Sequence, residues 1–214
     1  NLVFLIDTSG SMSGGSKLPL VQKVLTETLN VLQPTDTVSI VTYAGSTGVA
    51  LPPTPVSQKD TIATKINSFS AGGSTNGAGG IHLAYQQAES AFVEDGINHV
   101  ILCTDGDFNV GVSHTEGLVG LVTEKRKSGV TLTVLGFGMG NLNDHMMESI
   151  TNAGNGTYGV ISDQDHAVDY VYKRMLSSLY FIAKDMKIQV VFNPDKVKAY
   201  RLLGYENRDI ADED

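Results

Sequence analysis

Short runs of apolar residues, each ending at a polar loop, recur along the chain. The first run, Leu2–Ile6, stops at Asp7, and a later one, Val100–Thr104, leads into an acidic loop. Continuous apolar runs of this kind are typical of strands that are buried on both faces of a parallel sheet. The same criteria predict further strands at Val38–Tyr43, Val49–Leu51, Val130–Phe137 and Thr157–Ile161.

Between these strands, apolar residues recur at helical spacing, as Leu25, Leu29 and Leu32 do. The predicted helices are Pro19–Gln33, Ser57–Asn67, Ile81–Val93, Thr115–Lys127, Leu142–Ala153 and Asp165–Ala183. Strands that alternate with helices indicate an α/β fold: a doubly wound, Rossmann-like, mostly parallel sheet with helices on both faces. Pro52 and Pro53 are expected to end the third strand, and prolines there favour the edge of the sheet.

The last thirty residues depart from this alternation. Met186–Phe192 and Lys198–Tyr205 are predicted strands, and the turn residues Asn193–Asp195 lie between them. We therefore expect one α/β domain over residues 1–184 and a short C-terminal β extension, hairpin-like, over residues 185–214. The acidic end of the chain suggests that this extension is the start of a following region.

Composition and charge exclude several classes of protein. Hydrophobic residues make up 41% of the chain, which is enough to form a core, and the formal net charge is −8. An acidic protein is a poor candidate for nucleic-acid binding, which usually requires a basic face. The single cysteine, Cys103, excludes an intrachain disulfide, and no apolar stretch approaches the length of a transmembrane segment.

Three polar clusters lie at, or next to, the carboxyl ends of predicted strands: Asp7–Ser11, Ser74–Asn76 and Thr104–Gly106. In open α/β sheets such loops share one crevice, and ligands bind there. If the first and fourth strands are neighbours, Asp7 and Asp105 converge.

Two carboxylates in one crevice repel each other, and none of the three clusters contains a Lys or Arg to pair with them. A hard divalent cation relieves this repulsion, and Mg²⁺ needs only one or two carboxylates together with neutral oxygens. Hydroxyls of Ser9, Ser11 and Thr75 can supply those oxygens. An all-oxygen set argues against zinc and copper. With few charged ligands the metal keeps residual positive charge, so an acidic side chain of a partner could complete its shell.

The segment Asp7-Thr8-Ser9-Gly10-Ser11 resembles the DxSxS motif of von Willebrand factor type A (VWA) domains. In that family the motif joins a distant threonine and a distant aspartate in a metal-ion-dependent adhesion site, MIDAS. Thr75 and Asp105 are similar to those two residues. The resemblance covers about residues 1–184.

The resemblance implies a sheet with one antiparallel edge strand and a bound Mg²⁺, Mn²⁺ or Ca²⁺. It also implies direct metal contacts from Ser9 and Ser11, a Thr75 that joins or leaves the shell, and Asp7 and Asp105 acting partly through water. The expected function is binding of a protein ligand through its Asp or Glu. The tail is similar to the segment after this domain in a group of bacterial cell-envelope proteins, which implies an extracytoplasmic location.

Two other functions compete with adhesion. A magnesium-dependent phosphatase would use Asp7 as its nucleophile, but the general acid expected two residues later is replaced by Ser9. No lysine stands in a suitable loop to steady a phosphoryl group. We therefore expect no enzymatic activity. A scaffold domain that does not use its metal is the remaining alternative.

Overall fold

The structure is a computed structural model that describes residues 1–74, 77–106, 115–138, 142–175, 190–193 and 195–199. It divides into two compact units, residues 1–180 and residues 181–214. Every helix and strand that the structure describes belongs to the first unit. The first unit is therefore the α/β domain, and the second unit is a separate body.

The first unit is built on one six-stranded sheet. Its strands are β1 (Leu2–Asp7), β2 (Thr37–Tyr43), β3 (Thr47–Pro55), β4 (His99–Thr104), β5 (Thr131–Phe137) and β6 (Tyr158–Ile161). Their order across the sheet is β3-β2-β1-β4-β5-β6, with β3 antiparallel to β2 and the other neighbouring pairs parallel. The predicted mostly parallel sheet with one antiparallel edge strand is confirmed.

Helices cover both faces of this sheet. They are α1 (Leu18–Val31), α2 (Lys59–Asn67), α3 (Gly77–Ser90), α4 (Thr115–Lys125), α5 (Asp144–Ala153) and α6 (Gln164–Tyr170). Single 3₁₀ turns occur at Gly10–Met12, Val56–Gln58 and Arg126–Ser128, and α6 continues as a π-helical turn over Val171–Met175. The predicted helix–strand alternation is therefore present, with shifts at the element ends, and residues 176–183 of the helix predicted over Asp165–Ala183 lie outside the described residues.

Two hydrophobic cores lie on opposite faces of the sheet. One core packs α1, α2 and α6 against it, and the other packs α3, α4 and α5. Alternate residues of β1 enter the two cores, with Phe4 and Ile6 in the first and Val3 and Leu5 in the second. A strand that faces apolar helices on both sides needs no polar alternation, which explains the uninterrupted run before Asp7.

The edge strand β3 is longer than predicted. It spans Thr47–Pro55 and continues through Pro52 and Pro53, which were expected to end it. Proline lacks the N–H group that a strand donates to its neighbours, so it is tolerated in a strand with one side unpaired. Because β3 pairs with β2 at the border of the sheet, the two prolines fit within it.

Helix α3 begins at Gly77, four residues earlier than predicted. The early turns contain Gly80, which lies against β1 and β2: a Cβ atom there would lie 3.0 Å from Leu5 Cδ1 and 3.0 Å from Tyr43 Cδ1. Glycine normally weakens a helix, so helix propensities do not predict that α3 begins at Gly77. Here the missing side chain lets α3 approach the sheet closely.

Replacing Gly80 by Ala should lower the free energy of unfolding by about 1 kcal/mol, because overpacking outweighs the gain in helix propensity. Gly120 in α4 is a matched control, since a Cβ atom there would meet no atom within 4 Å. The Gly120→Ala variant should be more stable than the wild type by about 0.5–1 kcal/mol. Urea denaturation of both variants measures the contrast, and equal shifts would refute close packing at Gly80.

In the second unit the structure describes residues 190–193 and 195–199. The strand expected over Met186–Phe192 is absent at its described positions, residues 190–192, and so is the strand expected from residue 198 at positions 198 and 199. The expected turn is present, since the Asn193 carbonyl accepts hydrogen bonds from the N–H groups of Lys196 and Val197 at 3.0 and 2.9 Å. The remaining positions of both strands lie outside the described residues, so the hairpin-like extension over residues 185–214 stays a prediction.

Candidate metal centre

A crevice lies where the carboxyl ends of β1 and β4 meet. These strands are parallel neighbours, with Ile6 opposite Cys103, so Asp7 and Thr104 end side by side. From β1 the chain continues to β2 on one side, and it later returns to β4 on the other. Ligands of doubly wound sheets bind at such a switch in strand order. The sheet therefore brings together the first and third polar clusters predicted from sequence.

Asp7 is fully buried and held by three hydrogen bonds. Its Oδ1 accepts the Ser9 N–H at 2.8 Å, and its Oδ2 accepts the hydroxyls of Thr104 and Tyr43, each at 3.2 Å. The N–H of Gly106 in turn donates to Thr104 Oγ1 at 3.1 Å. Donors from β2, β4 and the loop after β1 therefore fix the orientation of the Asp7 carboxylate.

The two serines of the motif link this carboxylate to the second one. Ser9 Oγ lies 2.9 Å from Ser11 Oγ, and the Ser11 hydroxyl donates to Asp105 Oδ1 at 3.2 Å. Both Asp7 and Asp105 are buried, at 0% and 5% exposure. Four of the five predicted site residues are thus joined by hydrogen bonds, with the Ser9 N–H linking Asp7 to the two serines.

The fifth predicted residue, Thr75, lies outside the described residues. Its neighbouring glycine loop is bonded to the motif loop. The N–H of Gly10 donates to the Gly73 carbonyl at 3.0 Å, and the N–H of Gly72 donates to the Thr8 carbonyl at 2.8 Å. Gly73 has a φ of +87°, a backbone conformation that favours glycine. The described part of the glycine loop at Gly72 and Gly73 therefore lies against the motif loop.

Burial of Asp7 has an electrostatic consequence. Desolvation raises the pKa of the Asp7 carboxyl to about 6, the negative charge of Asp105 adds to this effect, and hydrogen bonds from Ser9 and Thr104 oppose it. Burial also raises the pKa of Tyr43 well above its ordinary value, with the Asp7 charge contributing, so Tyr43 remains a hydroxyl donor. The crevice therefore disfavours a second negative charge in the absence of a cation.

Lys17 enters this crevice, which the sequence did not predict. Its Nζ lies 2.8 Å from Asp105 Oδ2 and donates to the Ser11 carbonyl at 2.9 Å. The expectation that no lysine or arginine pairs with these carboxylates is therefore wrong. Lys17 belongs to none of the three clusters. It lies immediately before α1, after a turn in which its N–H donates to the Gly14 carbonyl at 3.4 Å.

Tyr43 was also missed as part of the site. Its position at the end of β2, next to β1, is a usable signal, because side chains at adjacent strand ends share a crevice. Among the described residues, no three His, Cys, Asp or Glu side chains come together to form a metal cluster. The donors that hydrogen bonds join in the described part of the crevice are two carboxylates and the serine hydroxyls, which are hard oxygen ligands.

A family model for the von Willebrand factor type A domain matches residues 1–174, the whole six-stranded sheet and the crevice. The chain belongs to this family. A second family model, the C-terminal part of Uncharacterized protein YfbK, matches residues 177–214. The VWA domain is thus followed by a region that has its own family.

The chain is similar to proteins from a bacterium and from human. The Escherichia coli protein YfbK is 46% identical over 210 residues, which are 98% of this chain and 36% of that protein. The human inter-alpha-trypsin inhibitor heavy chain H4 is 31% identical over 147 residues, which are 64% of this chain and 16% of that protein. The chain therefore spans about a third of the bacterial relative and a smaller share of the human one.

Solved VWA structures share the fold at low identity. An aerotolerance-related membrane protein from Bacteroides fragilis has a TM-score of 0.67 at 20% identity, covering 82% of this chain and 98% of that one. Manganese-loaded TRAP protein from Plasmodium vivax has a TM-score of 0.63 at 20% identity, covering 79% and 70%. Proximal thread matrix protein 1 from the mussel byssus, with a zinc-occupied MIDAS motif, has a TM-score of 0.65 at 17% identity, covering 80% and 46%.

Proposed function

We propose that this VWA domain binds a partner protein through a divalent metal held by Asp7, Ser9, Ser11, Thr75 and Asp105. The observation that carries the proposal is the hydrogen-bonded set of Asp7, Ser9, Ser11 and Asp105 at the switch in strand order, in which the Ser9 N–H binds Asp7 and the Ser11 hydroxyl joins Ser9 to Asp105. The VWA fold itself is a protein-interaction fold, which supports the same function.

The residues present fit a hard divalent cation. Asp7 is buried and its pKa is raised, so a positive charge beside it would favour its ionised form. Ser9 and Ser11 hold their hydroxyl oxygens 2.9 Å apart, next to both carboxylates. A divalent cation bound there would keep residual positive charge and an open position for a partner's carboxylate oxygen. Asp7, Asp105 and the hydroxyls of Ser9 and Ser11 would hold the cation with oxygen atoms alone.

We propose Mg²⁺ as the resident ion, with Mn²⁺ and Ca²⁺ as alternatives that suit the same ligands. The zinc-occupied site of the mussel protein shows that zinc can enter a MIDAS motif in that relative. Zinc therefore belongs among the ions to be tested. The carboxylate and hydroxyl oxygens of Asp7, Ser9, Ser11 and Asp105 still favour the harder cations.

An enzyme is the weaker candidate. The general acid that a phosphatase of this fold would need is replaced by Ser9, whose hydroxyl pairs with Ser11. Lys17 could be considered for binding a phosphoryl group, but its ammonium contacts Asp105 and the Ser11 carbonyl. Turnover of p-nitrophenyl phosphate that Asp7→Asn abolishes would favour the enzyme.

Ser9→Ala should weaken Mg²⁺ binding by about tenfold, since removing one ligand or its direct support commonly costs 10- to 100-fold in affinity. Isothermal titration calorimetry on the full chain measures this. Ser16→Ala is the matched control, because Ser16 is exposed in the same loop and should leave the affinity unchanged. Equal affinities for Ser9→Ala and the control would contradict the proposed ligand set.

Capture of a carboxylate is tested separately from metal binding, with acetate as the probe. In the Mn²⁺-loaded protein, the proton NMR signal of acetate should broaden, and the signal of methylammonium should not. Ser9→Ala should reduce the broadening at the same Mn²⁺ concentration. Metal binding without any broadening of acetate would favour the scaffold alternative, in which the domain does not use its metal.

The proposed partner is a protein that presents an Asp or Glu, and the proposed location is the bacterial cell envelope. The net charge of −8 supports a protein partner over nucleic acid. The membrane-protein description of the Bacteroides fragilis structure supports the location. Within the residues that the structure describes, none of the helices combines the length and apolarity of a membrane span.

A further inference from the structure

The Lys17 ammonium occupies part of the crevice that the proposed function assigns to a cation. Its Nζ lies 2.8 Å from Asp105 Oδ2, while Ser11 donates to Asp105 Oδ1. Both oxygens of this carboxylate thus accept hydrogen bonds from the protein itself. An ammonium beside a carboxylate neutralises charge that would otherwise attract a metal.

The position of this ammonium is built into the fold. The stem of Lys17 passes over Gly138, just beyond the end of β5, where a Cβ atom would lie 3.1 Å from Lys17 Cε. Gly138 has a φ of +97°, which favours glycine at this point. The Lys17 side chain is 25% exposed, so most of it is enclosed by the crevice. Lys17 is therefore directed at Asp105 by packing as well as by charge.

We propose that Lys17 is an internal competitor of the metal, so that binding of a divalent cation displaces its ammonium from Asp105. The inference rests on the proposed metal site and concerns how its affinity is set. A cation that enters must break the contact between Lys17 and Asp105 and must also approach a neighbouring positive charge. Lys17 therefore weakens metal binding, while in the metal-free protein it stabilises the crevice.

The test compares Mg²⁺ affinity in the full chain with and without the ammonium. Lys17→Met keeps most of the stem and removes the charge, and it should bind Mg²⁺ about tenfold more tightly than the wild type. In EDTA the same variant should melt several degrees lower, because Asp105 loses a buried partner. Both shifts have the opposite sign to those expected of a residue that helps to hold the metal.

Lys23→Met is the matched control, since Lys23 lies on the same helix and pairs with Glu27 at 2.7 Å, outside the crevice. Its Mg²⁺ affinity should equal that of the wild type. Lys17→Arg keeps the charge and should stay close to the wild type, and Lys17→Gln provides a second neutral variant if Lys17→Met does not fold. The NMR signal of the Lys17 ε-methylene group in the wild type should also shift with Mg²⁺, whereas that of Lys23 should not.

The outcomes separate this inference from the proposed function. If the wild type binds Mg²⁺ and the neutral variants bind no more tightly, the competitor role is wrong and the metal site stands. A Lys17 signal that saturating Mg²⁺ leaves unmoved would also overturn it. If neither the wild type nor the variants take up Mg²⁺, both the proposed function and this inference fail. Detectable binding in the neutral variants alone would support the competitor role.

Discussion

Replacing Asp7 by Asn should weaken Mg²⁺ binding by at least about a hundredfold, because it removes the negative charge of a buried carboxylate in the proposed site. In the wild type the Ser9 N–H donates to Asp7 Oδ1 at 2.8 Å, and the amide oxygen of Asn can accept the same hydrogen bond. The hydroxyls of Tyr43 and Thr104 can accept as well as donate, so they can turn towards the new amide. Lost affinity would therefore reflect charge, with little change in shape. Calorimetric titration with Mg²⁺ measures it.

The same variant should be more stable than the wild type when no metal is present. Burial raises the pKa of Asp7 from 3.8 to about 6, so ionising it in the folded protein is unfavourable. This rise in the pKa corresponds to about 3 kcal/mol of folding free energy, which Asp7→Asn should recover in EDTA at about pH 8. A loss of affinity together with a gain in stability is typical of a residue selected for binding.

Asp95→Asn is the matched control for both measurements. Asp95 is exposed, and its φ of 57° lies in the left-handed region, where Asn is as well tolerated as Asp. Neither Mg²⁺ affinity nor stability should change in this variant. Undiminished Mg²⁺ binding by Asp7→Asn would remove the basis of the proposed site.

Much of the fold could be predicted because its physical signals are local. The apolar run of Leu2–Ile6 marks a doubly buried strand, and the periodicity around Leu25 marks a helix that packs on one side. The length of β3 was underestimated because tolerance of Pro52 and Pro53 depends on an unpaired edge, which is a property of the sheet and not of the segment. The start of α3 was missed because the role of Gly80 depends on close packing against β1 and β2, which the helix segment alone does not show.

The candidate site shows the same division. Asp7, Ser9 and Ser11 could be grouped from their spacing, and Asp105 could join them only if β1 and β4 were neighbours, which the sheet order confirms. Lys17 could not be assigned, because its reach to Asp105 depends on how the loop after the motif folds back and on the space above Gly138. The sequence pattern does not show which residue a long, flexible side chain will contact.

The metal affinity of the wild type should fall steeply in acid. If the cation requires ionised Asp7, whose pKa is raised to about 6 by burial, protons and metal compete for the same carboxylate. Apparent Mg²⁺ affinity should then be nearly constant above about pH 7, about tenfold weaker at about pH 5 and about a hundredfold weaker at about pH 4. Titrations across this range measure the profile, and an affinity independent of pH would show that Asp7 does not control it.

In the metal-free protein, the contribution of Asp7 to stability should fall as pH rises, whereas Mg²⁺ affinity rises with pH. The folded pKa of Asp7 lies above its unfolded value of 3.8, so the folded state binds more protons between about pH 4 and about pH 6. Stability from this group is fully present below the unfolded pKa and is lost as pH rises through about 6, by about 3 kcal/mol in total. Glu27 acts in the reverse direction, since hydrogen bonding to Lys23 lowers its pKa.

Comparison with Asp7→Asn separates Asp7 from these groups, because the variant retains every other carboxyl. The stability difference between variant and wild type in EDTA should grow from near zero at about pH 4 to its full value above about pH 7. Saturating Mg²⁺ should prevent the stability of the wild type from falling with pH, because Mg²⁺ that binds only the folded state offsets the loss of stability caused by ionisation of Asp7. The difference between variant and wild type should then no longer grow with pH. A difference that does not vary with pH would mean that Asp7 ionises normally, and the crevice would then lack the uncompensated charge that a cation is proposed to satisfy.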